Sequence, residues 1–448
     1  MNNILFAGLL ATAFAVALSS PDAPAQTSWR KVPRSFFGMH IHHLLRLPSE
    51  NEPQTRWPTV PIGSLRLWDT RTRWADLEPV PGQWHFDTLD IYVDQAGAHG
   101  AEILYTLGST PKWASARPSE WCPYGSGCSA EPRSLTDWGN YVRQVARRYK
   151  GRIRYYELWN EPIFSDLPAD RDRHSFYTGD VQTMVDMAKV ARQVLREEDP
   201  DARLAGPGFV GGADRLDLFL SMGGKDFIDI VAYHFYALDS TPLRITEDVR
   251  RVRAVMERNG VGQLPLWNTE SGWEVHASVQ ATPKGTLRID RPTAAAYVAQ
   301  ALALGASAGI GRFFYYSWDS EVSGFVDNKS GVTNAESFVL QQAVRWLRNA
   351  EIGGCETADS RFVICPMRRG ERRAWMVWSR AGEHDFSIPA NWGAVEYELS
   401  TGGLKRLVDT GSTAIGVGSA PLLFKSDRSL WIASTRPISG GSTAAGTP

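Results

Sequence analysis

Short apolar runs of β type alternate with longer stretches of helical period from about residue 36 to residue 350. Apolar side chains recur in those stretches at three- and four-residue spacing, which predicts amphipathic helices between the runs. The predicted strands are Phe36–Ile41, Ser64–Trp68, Glu102–Leu107, Tyr155–Trp159, Arg203–Ala205, Asp229–His234, Pro265–Asn268 and Arg312–Ser317. The predicted helices include Leu135–Tyr149, Val181–Glu198, Ile245–Arg258, Thr293–Ala308 and Ser337–Asn349.

The alternation of eight strands with helices predicts an α/β fold with a parallel sheet, and eight parallel strands can close a barrel. We therefore expect a (β/α)8 TIM barrel over residues 36–350. An open, doubly wound sheet is the structural alternative. It is disfavoured because no glycine-rich GxGxxG loop follows an early strand.

The hydrophobic pattern of the chain changes after Asn349, where the helical periodicity ends. Apolar runs separated by Gly, Asn and charged turns predict a small antiparallel β-sandwich over residues 351–436, to which residues 26–35 can add a strand. The runs are Phe362–Pro366, Ala374–Ser379, Val395–Leu399 and Ser429–Ala433. Residues 437–448 are rich in Gly, Ser, Thr and Ala and predict a flexible tail.

The first 25 residues have the pattern of a secretory leader. The run from Ile4 to Leu18 is apolar or small but shorter than the roughly 20 residues that span a bilayer. Ala23-Pro24-Ala25 then fits a small-x-small cleavage site, which predicts a signal peptide and a periplasmic or extracellular location. Because Asn2 and Asn3 supply no positive charge, an uncleaved membrane anchor is the alternative.

The cysteines suit an exported protein. Cys122 and Cys128 are six residues apart in a loop rich in Pro, Gly and Ser, and Cys355 and Cys365 are ten apart across an expected hairpin. Two short local disulfides are our interpretation in an oxidising compartment, although four cysteines allow three pairings. A zinc site is disfavoured because neither pair has CxxC spacing.

Composition narrows the class of partner. The formal net charge of −1 and the absence of a basic tract argue against a nucleic-acid partner, which would need a clustered Lys/Arg surface. Hydrophobic residues make up 43% of the chain, which supports a globular core. The 17 Trp residues are unusual: most are expected to pack in the core, and a minority could stack on sugar rings.

Two glutamates stand at the carboxyl ends of predicted strands, where barrels place functional residues. Glu161 ends the fourth strand, and Pro162 should break the strand there and hold Glu161 at the rim. Glu270 ends the seventh strand beside aromatic residues and Gly272. Each alone would by default be a surface or ion-paired residue. Two carboxylates facing one cleft, however, are what cleavage of a glycosidic bond requires.

These segments resemble a known family. Trp159-Asn160-Glu161-Pro162 resembles the acid/base motif of clan A glycoside hydrolases, and Thr269-Glu270-Ser271-Gly272-Trp273 resembles the nucleophile strand of that clan. The Phe37-Gly38-Met39-His40 start and the barrel followed by a sandwich are similar to glycoside hydrolase family 39. Within that family the chain looks most like the PslG-like bacterial exopolysaccharide glycosidases. The resemblance covers roughly residues 36–435.

The resemblance implies hydrolysis with retention of anomeric configuration, so the two carboxyl groups should lie about 5–5.5 Å apart. Glu270 would be the nucleophile and Glu161 the acid/base. The pKa of Glu161 should lie near or above the working pH in the first step and fall once Glu270 is esterified. No metal and no cofactor is implied.

The resemblance also suggests roles for other residues at the rim. Asn160 would bind the sugar 2-OH, Arg66 would keep Glu270 ionised, and Tyr236 would donate to Glu270. His234 would contact sugar or orient a carboxylate, and Trp318 would form the aromatic floor under the sugar. His40 and His42 would hydrogen-bond sugar hydroxyls. Further candidate platforms for sugar rings are Trp113, Trp121, Trp159 and Trp273.

Two other classes of function compete with this interpretation. His40-Ile41-His42 resembles the HxH motif of metal-dependent amidohydrolases, for which His234 and Asp319 could supply later ligands. That reading leaves the glutamate pair unexplained, and the fifth strand offers no His or Lys. A non-catalytic carbohydrate-binding protein would keep the aromatics but needs neither carboxylate. The C-terminal sandwich could bind sugar through Trp375, Trp378 or Trp392, but we expect it to stabilise the barrel.

The substrate follows only from the resemblance and from loop lengths. Endo-acting enzymes need an open groove, which loops 112–133, 163–178 and 275–291 could border. We expect a polysaccharide or oligosaccharide substrate, endo cleavage of a bacterial exopolysaccharide, and the exopolysaccharide biosynthesis machinery as a candidate partner. An exo-β-xylosidase is the alternative within the same family.

Overall fold

A computed structural model of the chain describes residues 29–45, 54–171, 173–276, 280–281, 287–320, 323–326, 333–334, 337–406, 414–427 and 431. The expected leader, the C-terminal tail and most of the run Ser429–Ala433 lie outside these residues. The strands of the central parallel sheet are Phe37–Met39, Ser64–Leu67, Glu102–Thr106, Tyr155–Glu157, Arg203–Ala205, Val231–His234, Leu266–Ser271 and Phe313–Tyr315. We number them as barrel strands one to eight.

Hydrogen bonds connect these eight strands into a ring. In the sheet, strands five, four, three, two, one, eight, seven and six are neighbours in that order, and the short strand Phe209–Val210 pairs beside strand six. Strands five and six meet through a parallel bridge between Ala205 and Ile230. The Gly206 N–H donates to the Ile230 carbonyl at 2.9 Å, and the Asp229 N–H donates to the Leu204 carbonyl at 2.7 Å. The curled sheet is thus closed where its ends meet.

Helices cover the outside of the sheet, as the periodicity predicts. Several begin at capping residues; the Asp180 carboxylate, for example, accepts from the Thr183 N–H at 2.7 Å. The helices are Trp74–Leu77, Asp87–Ala98, Leu135–Arg148, Val181–Glu198, Asp214–Ser221, Leu243–Arg258, Arg291–Ser307 and Ser337–Leu347. The short 3-10 turns are Arg34–Phe36, Pro168–Asp170, Gly224–Asp226 and Ala390–Trp392. No helix of the described ranges is long and apolar enough to cross a bilayer.

The amino-terminal end of the barrel interior is filled by apolar and cationic side chains. The Arg312 guanidinium packs over the rings of Tyr155 and Trp267, at 4.3 and 4.4 Å from their centroids. Its guanidinium donates to Ser64 Oγ and Glu102 Oε2, each at 2.7 Å. This packing fills the amino-terminal end of the barrel. The open cleft lies at the other end, at the carboxyl ends of the strands.

The loop expected over residues 275–291 contains more structure than the sequence indicated. Three short strands, Glu274–Val275, Gln280–Ala281 and Leu287–Ile289, form a small sheet of their own. Gln280 pairs with Arg288 because the chain folds back on itself, and no local pattern in the sequence predicts this reversal.

The C-terminal part is antiparallel. The larger sheet includes Arg30–Lys31, Glu351–Ile352, Glu356–Ala358, Phe362–Arg369, Arg372–Ser379, Glu396–Leu399, Leu404–Arg406 and Leu422–Lys425. A second sheet pairs His384–Ser387 with Ala414–Val417. One apolar cluster joins the two sheets, in the manner of a small sandwich. Trp375 and Trp392 stack within it at 4.5 Å and are each 8% exposed, so they pack in the core.

The disulfides are local, as interpreted from the sequence. Cys122 bonds to Cys128, and Cys355 bonds to Cys365. The first ties a loop above the barrel, and the second ties the start of the antiparallel sheet.

A buried ionic cluster connects the barrel to the antiparallel sheet. The Lys425 ammonium lies 2.7 Å from Glu396 Oε1 and 2.9 Å from Glu398 Oε1, and all three side chains are less than a tenth exposed. Trp346 of the last barrel helix donates its indole N–H to Glu398 Oε2 at 2.8 Å. The Trp346 contact and the Lys425 charge together hold Glu398 ionised, and its pKa is lowered against the opposing effect of burial.

Replacing Lys425 by Met should therefore destabilise the protein strongly. The change would leave Glu396 buried without its cation and Glu398 paired with Arg345 alone, at 3.0 Å, and breaking a buried ion pair costs about 3–5 kcal/mol. Urea denaturation at pH 7 measures the loss. Lys405→Met, which removes an exposed ammonium from the neighbouring strand, is the control and should change stability by less than about 0.5 kcal/mol. Equal midpoints for the two variants would contradict the importance of the cluster.

Candidate active site

A cleft of about 520 Å³ opens at the carboxyl ends of the barrel strands. Its lining is mostly apolar and aromatic, with a few convergent polar groups, as in typical ligand sites. Both glutamates singled out in the sequence line it. Among the other lining residues are Trp68, Asp69, Asn160, Phe176, Tyr236, Trp273 and Tyr316.

Glu161 is held at the rim by its backbone. Asn160 forms a parallel bridge with Gly208, and the Glu161 N–H donates to the Gly208 carbonyl at 2.9 Å. The φ angle of Glu161 is +42°, a left-handed conformation that is uncommon for residues other than glycine. Such backbone strain persists where the surroundings impose it and is found mainly at functional sites. Pro162 follows directly and bridges to Tyr177, although barrel strand four itself ends earlier, at Glu157, than the sequence predicted.

Glu270 lies on barrel strand seven, close to the point where the register with strand six shifts. The Arg66 guanidinium donates to Glu270 Oε2 at 2.7 Å, and the Tyr236 hydroxyl donates to Glu270 Oε1 at 2.7 Å. Gly272 follows closely, and a Cβ there would lie 2.2 Å from the Tyr316 carbonyl oxygen. Only glycine permits strand seven to approach the end of strand eight this closely.

The two carboxyl groups converge across the cleft. One oxygen of Glu161, one oxygen of Glu270 and one ring nitrogen of His234 lie within 4.8 Å of one another. The His234 Nδ1 is 3.0 Å from Glu161 Oε1. The carboxyl groups of Glu161 and Glu270 therefore face the same part of the cleft.

The electrostatic surroundings of the two glutamates differ. Burial raises the pKa of Glu161 to about 7; the Arg66 charge opposes this rise, and Asp69 adds to it. Burial and the nearby Glu161 carboxylate raise the pKa of Glu270, and the Arg66 guanidinium and the Tyr236 hydroxyl oppose this rise. Burial lowers the pKa of His234 to about 4, so its imidazole is neutral at pH 7. Arg66 thus contacts Glu270 directly and not Glu161, which favours the ionised form of Glu270.

Arg66 connects the acidic groups below the cleft. Besides Glu270, it donates to Glu157 Oε2 and Asn160 Oδ1, each at 2.7 Å. Thr106 donates its hydroxyl to the same Glu157 oxygen at 2.7 Å. Glu157, buried on barrel strand four, is a third carboxylate of the site that the sequence reasoning missed. A charged residue between Tyr156 and Leu158 inside an otherwise apolar strand could have revealed it.

The charge of Glu157 contributes to the raised pKa of Glu161. Glu157→Gln should therefore lower the pKa of Glu161 below about 7. If protonated Glu161 is needed for turnover, the alkaline limb of the pH profile of kcat/KM moves to lower pH. Glu102→Gln is a matched control because Glu102 pairs with a barrel-interior arginine at the opposite end. A limb that stays in place in Glu157→Gln would show that Glu157 does not influence Glu161.

The structure brings several of the predicted site residues together. Asn160, Tyr236 and Trp273 line the cleft with the two glutamates. Arg66 lies directly below them, and His234 contacts Glu161. The Trp273 indole N–H is already used, because it donates to the Ala237 carbonyl at 3.2 Å.

Other predicted contacts with sugar need correction. Trp318 is 1% exposed and packs on Phe325, and it is Tyr316 that lines the cleft at the end of strand eight. Trp159 is fully buried against Trp138, because alternation along the strand directs Asn160 to the cleft and its neighbour away.

Trp113, His40 and His42 also lie away from the cleft lining. The Trp113 indole N–H donates to the Glu78 carbonyl, and its ring packs on Trp74. His40 is fully buried, with Nε2 3.2 Å from the Thr269 carbonyl oxygen. His42 is 7% exposed and packs beside the Tyr316 ring. These three side chains pack against neighbouring residues and do not face the cleft.

The sequence did not predict three further residues that line the cleft, one acidic and two aromatic. Asp69 lines the cleft with a φ angle of +60° and accepts from the Tyr316 hydroxyl at 2.8 Å. Trp68 and Phe176 line the cleft beside it. Trp68 and Asp69 directly follow barrel strand two, so the rule that identified the glutamates would have found them.

The metal-hydrolase alternative finds little support in this arrangement. Within the described ranges, the group of side chains able to hold a metal is Glu161, His234 and Glu270, without His40 or His42. The Arg66 guanidinium lies 2.7 Å from Glu270 and would repel a divalent cation bound there. Asp319 instead accepts backbone N–H bonds from His42 and His43.

The fold and the site together define a parallel barrel with a pair of acidic groups at its carboxyl-end cleft. The chain belongs to glycosyl hydrolases family 39, whose family model matches residues 79–318. An endo-1,4-beta-xylanase 2 of Claviceps purpurea is 30% identical over 128 residues, which are 28% of this chain and 35% of that protein. The chain therefore spans about a third of the length of this curated relative.

Solved structures show the same fold. A family 39 glycoside hydrolase from the gut symbiont Bacteroides cellulosilyticus WH2 has a TM-score of 0.65 at 16% identity, over 88% of this chain and 80% of that chain. A GH39 β-xylosidase from Caulobacter crescentus has a TM-score of 0.59 at 17% identity, over 90% and 98% of the two chains. A GH39 enzyme from Xanthomonas axonopodis pv. citri has a TM-score of 0.57 at 18% identity, over 88% and 94%.

Proposed function

We propose that the protein is a retaining glycoside hydrolase with Glu161 as acid/base and Glu270 as nucleophile. The observation that carries the proposal is the convergence of the two carboxyl groups, whose nearest oxygens lie within 4.8 Å. Retaining enzymes hold their carboxyl groups about 5–5.5 Å apart, whereas inverting ones leave about 6.5–9.5 Å for a water molecule. The spacing in this cleft matches direct attack by one carboxylate on the sugar.

The different surroundings of the glutamates support the assignment of roles. An ionised Glu270 attacks the anomeric carbon, and the bond to the leaving oxygen breaks as Glu161 protonates that oxygen. Arg66 favours the ionised form of Glu270, and the Tyr236 hydroxyl orients its other oxygen. Glu161, with a pKa of about 7, holds a proton near neutral pH.

The second step reverses the role of Glu161. Once Glu270 is an ester, its negative charge is gone, and a carboxyl group beside a neutral ester stays ionised more readily than one beside a carboxylate. Glu161, left as a carboxylate by the first step, takes a proton from water, and the water oxygen bonds to the anomeric carbon while the bond to Glu270 breaks. His234, neutral and 3.0 Å from Glu161, orients the carboxyl group through both steps.

We further propose endo cleavage of a bacterial exopolysaccharide by an exported enzyme. The open cleft and the PslG-like resemblance support the polymer, and the two disulfides with the apolar leader support export. An exo-β-xylosidase remains the second candidate, because a structural neighbour is described as a GH39 β-xylosidase.

A panel of polysaccharides and aryl glycosides with product sizing tests these proposals. Oligosaccharide ladders from a bacterial exopolysaccharide are expected, with the anomeric configuration of the first product retained in the NMR spectrum. Release of xylose alone from chain ends would favour the xylosidase. The same assays in EDTA should give unchanged rates, and a loss restored by zinc would favour a metal hydrolase.

A further inference from the structure

An exposed tryptophan stands next to the cleft on a loop that is tied at both sides. Trp121 keeps 60% of its surface exposed. Single exposed apolar side chains are common, so its position matters more than its exposure. The Trp121 ring lies 5.1 Å from the His174 ring, centroid to centroid. Because two residues of chain span at most about 7 Å, His174 lies close to Phe176 of the cleft lining.

The loop that carries Trp121 is part of the cleft wall. Tyr124 stacks on Phe176 at 5.5 Å and packs on Trp68 at 5.7 Å, and both of these rings line the cleft. The Tyr124 hydroxyl donates to Asp69. Tyr124 and Phe176 therefore extend the aromatic wall of the cleft, and the ring pair of Trp121 and His174 lies three and two residues away from them along the chain.

The backbone around Trp121 is fixed. Cys122, the next residue, is 6% exposed and bonded to Cys128. Glu120, the preceding residue, accepts from the Gly127 N–H at 2.7 Å and from the Arg117 guanidinium. A backbone held in this way keeps the indole in one region beside the cleft, so less ordering is needed when a ligand covers it.

We propose that Trp121 is a distal platform for a sugar chain that extends out of the cleft. The proposal rests on the proposed glycosidase function. A pyranose ring presents an apolar face of C–H groups, and the exposed indole offers a flat apolar surface of similar size. Trp121 does not itself line the space around Glu161 and Glu270. A sugar that reaches both glutamates and this ring must therefore be part of a chain, which a single bound monosaccharide is not.

Kinetics on long and short substrates test the platform. Trp121→Ala should raise the ratio of KM on a polymer to KM on a 4-nitrophenyl glycoside by about five- to tenfold, the effect of one lost aromatic contact. The kcat on the polymer should change less than KM. Trp121→Phe should recover most of the polymer affinity because it restores a flat ring. The polymers are xylan and a purified bacterial exopolysaccharide.

Met222→Ala is the matched control, since it removes an exposed apolar side chain after the helix Asp214–Ser221, away from the cleft. Its KM ratio should equal that of the wild type. Far-UV circular dichroism and thermal melts establish that each variant is folded. An unchanged KM ratio in Trp121→Ala, or a wild type that cleaves aryl glycosides but neither polymer, would overturn the platform alone. A wild type without activity on any glycoside would overturn the proposed function as well.

Discussion

Glu270→Gln is expected to reduce kcat/KM on an activated aryl glycoside by about 10⁴-fold or more, the range seen when a catalytic nucleophile is removed. Glutamine keeps the size of the side chain and can still contact Arg66 and Tyr236, but it cannot form the glycosyl ester. Initial rates with a 4-nitrophenyl glycoside measure the loss.

Azide distinguishes the nucleophile from a merely supporting residue. It should not restore activity to Glu270→Gln, because the amide still fills the space, but it should restore activity to Glu270→Ala or Glu270→Gly. Glu274→Gln is the control: Glu274 lines the same cleft but its carboxylate pairs with Arg288 at 2.9 Å. Equal activity of Glu270→Gln and the wild type would remove the proposed mechanism.

Glu161→Gln should produce a loss that depends on the leaving group. General acid catalysis contributes about 10²–10⁴-fold, so glycosides with poor leaving groups should lose that much. Activated aryl glycosides need little protonation and should still react with Glu270. Their second step lacks a base, so the glycosyl ester should accumulate and give a burst of released phenol.

The pH dependence gives an independent measure of the same residue. The pKa of Glu161 is raised to about 7, so its proton is present below that pH and is lost above it. Activity of the wild type should therefore fall as the pH rises through about 7, and Glu161→Gln should lack this alkaline limb. A profile in which the limb is identical in both proteins would assign the titration to another group.

Local pattern was enough to predict the eight barrel strands and five of the helices, but the helices Asp87–Ala98 and Asp214–Ser221 were not named in advance. The helix Val181–Glu198 and the strand Arg203–Ala205 have the predicted bounds, because their apolar spacing and caps lie within the segment itself. The glutamates were found for a related reason. A carboxylate at the carboxyl end of a strand in a parallel barrel lies at the rim of the cleft.

Contacts between distant segments were not predictable in the same way. Trp318 looked like the cleft aromatic, but the side chain that lines the cleft is that of Tyr316, two residues earlier on the chain. Glu157 was missed because it joins the site through its hydrogen bond with Arg66, which is 91 residues away in the sequence. The pairing of Gln280 with Arg288 likewise depends on how the chain returns.

The sequence by itself determined the order of elements and the two residues that carry the candidate chemistry, since periodicity and strand ends are properties of short segments. Only the tertiary structure decided how close Glu161 and Glu270 come and which of them a cation contacts. It also decided which aromatic rings face outward. Those features are set by side-chain packing and burial across segments far apart in the chain, and the pKa of each carboxyl group follows from them.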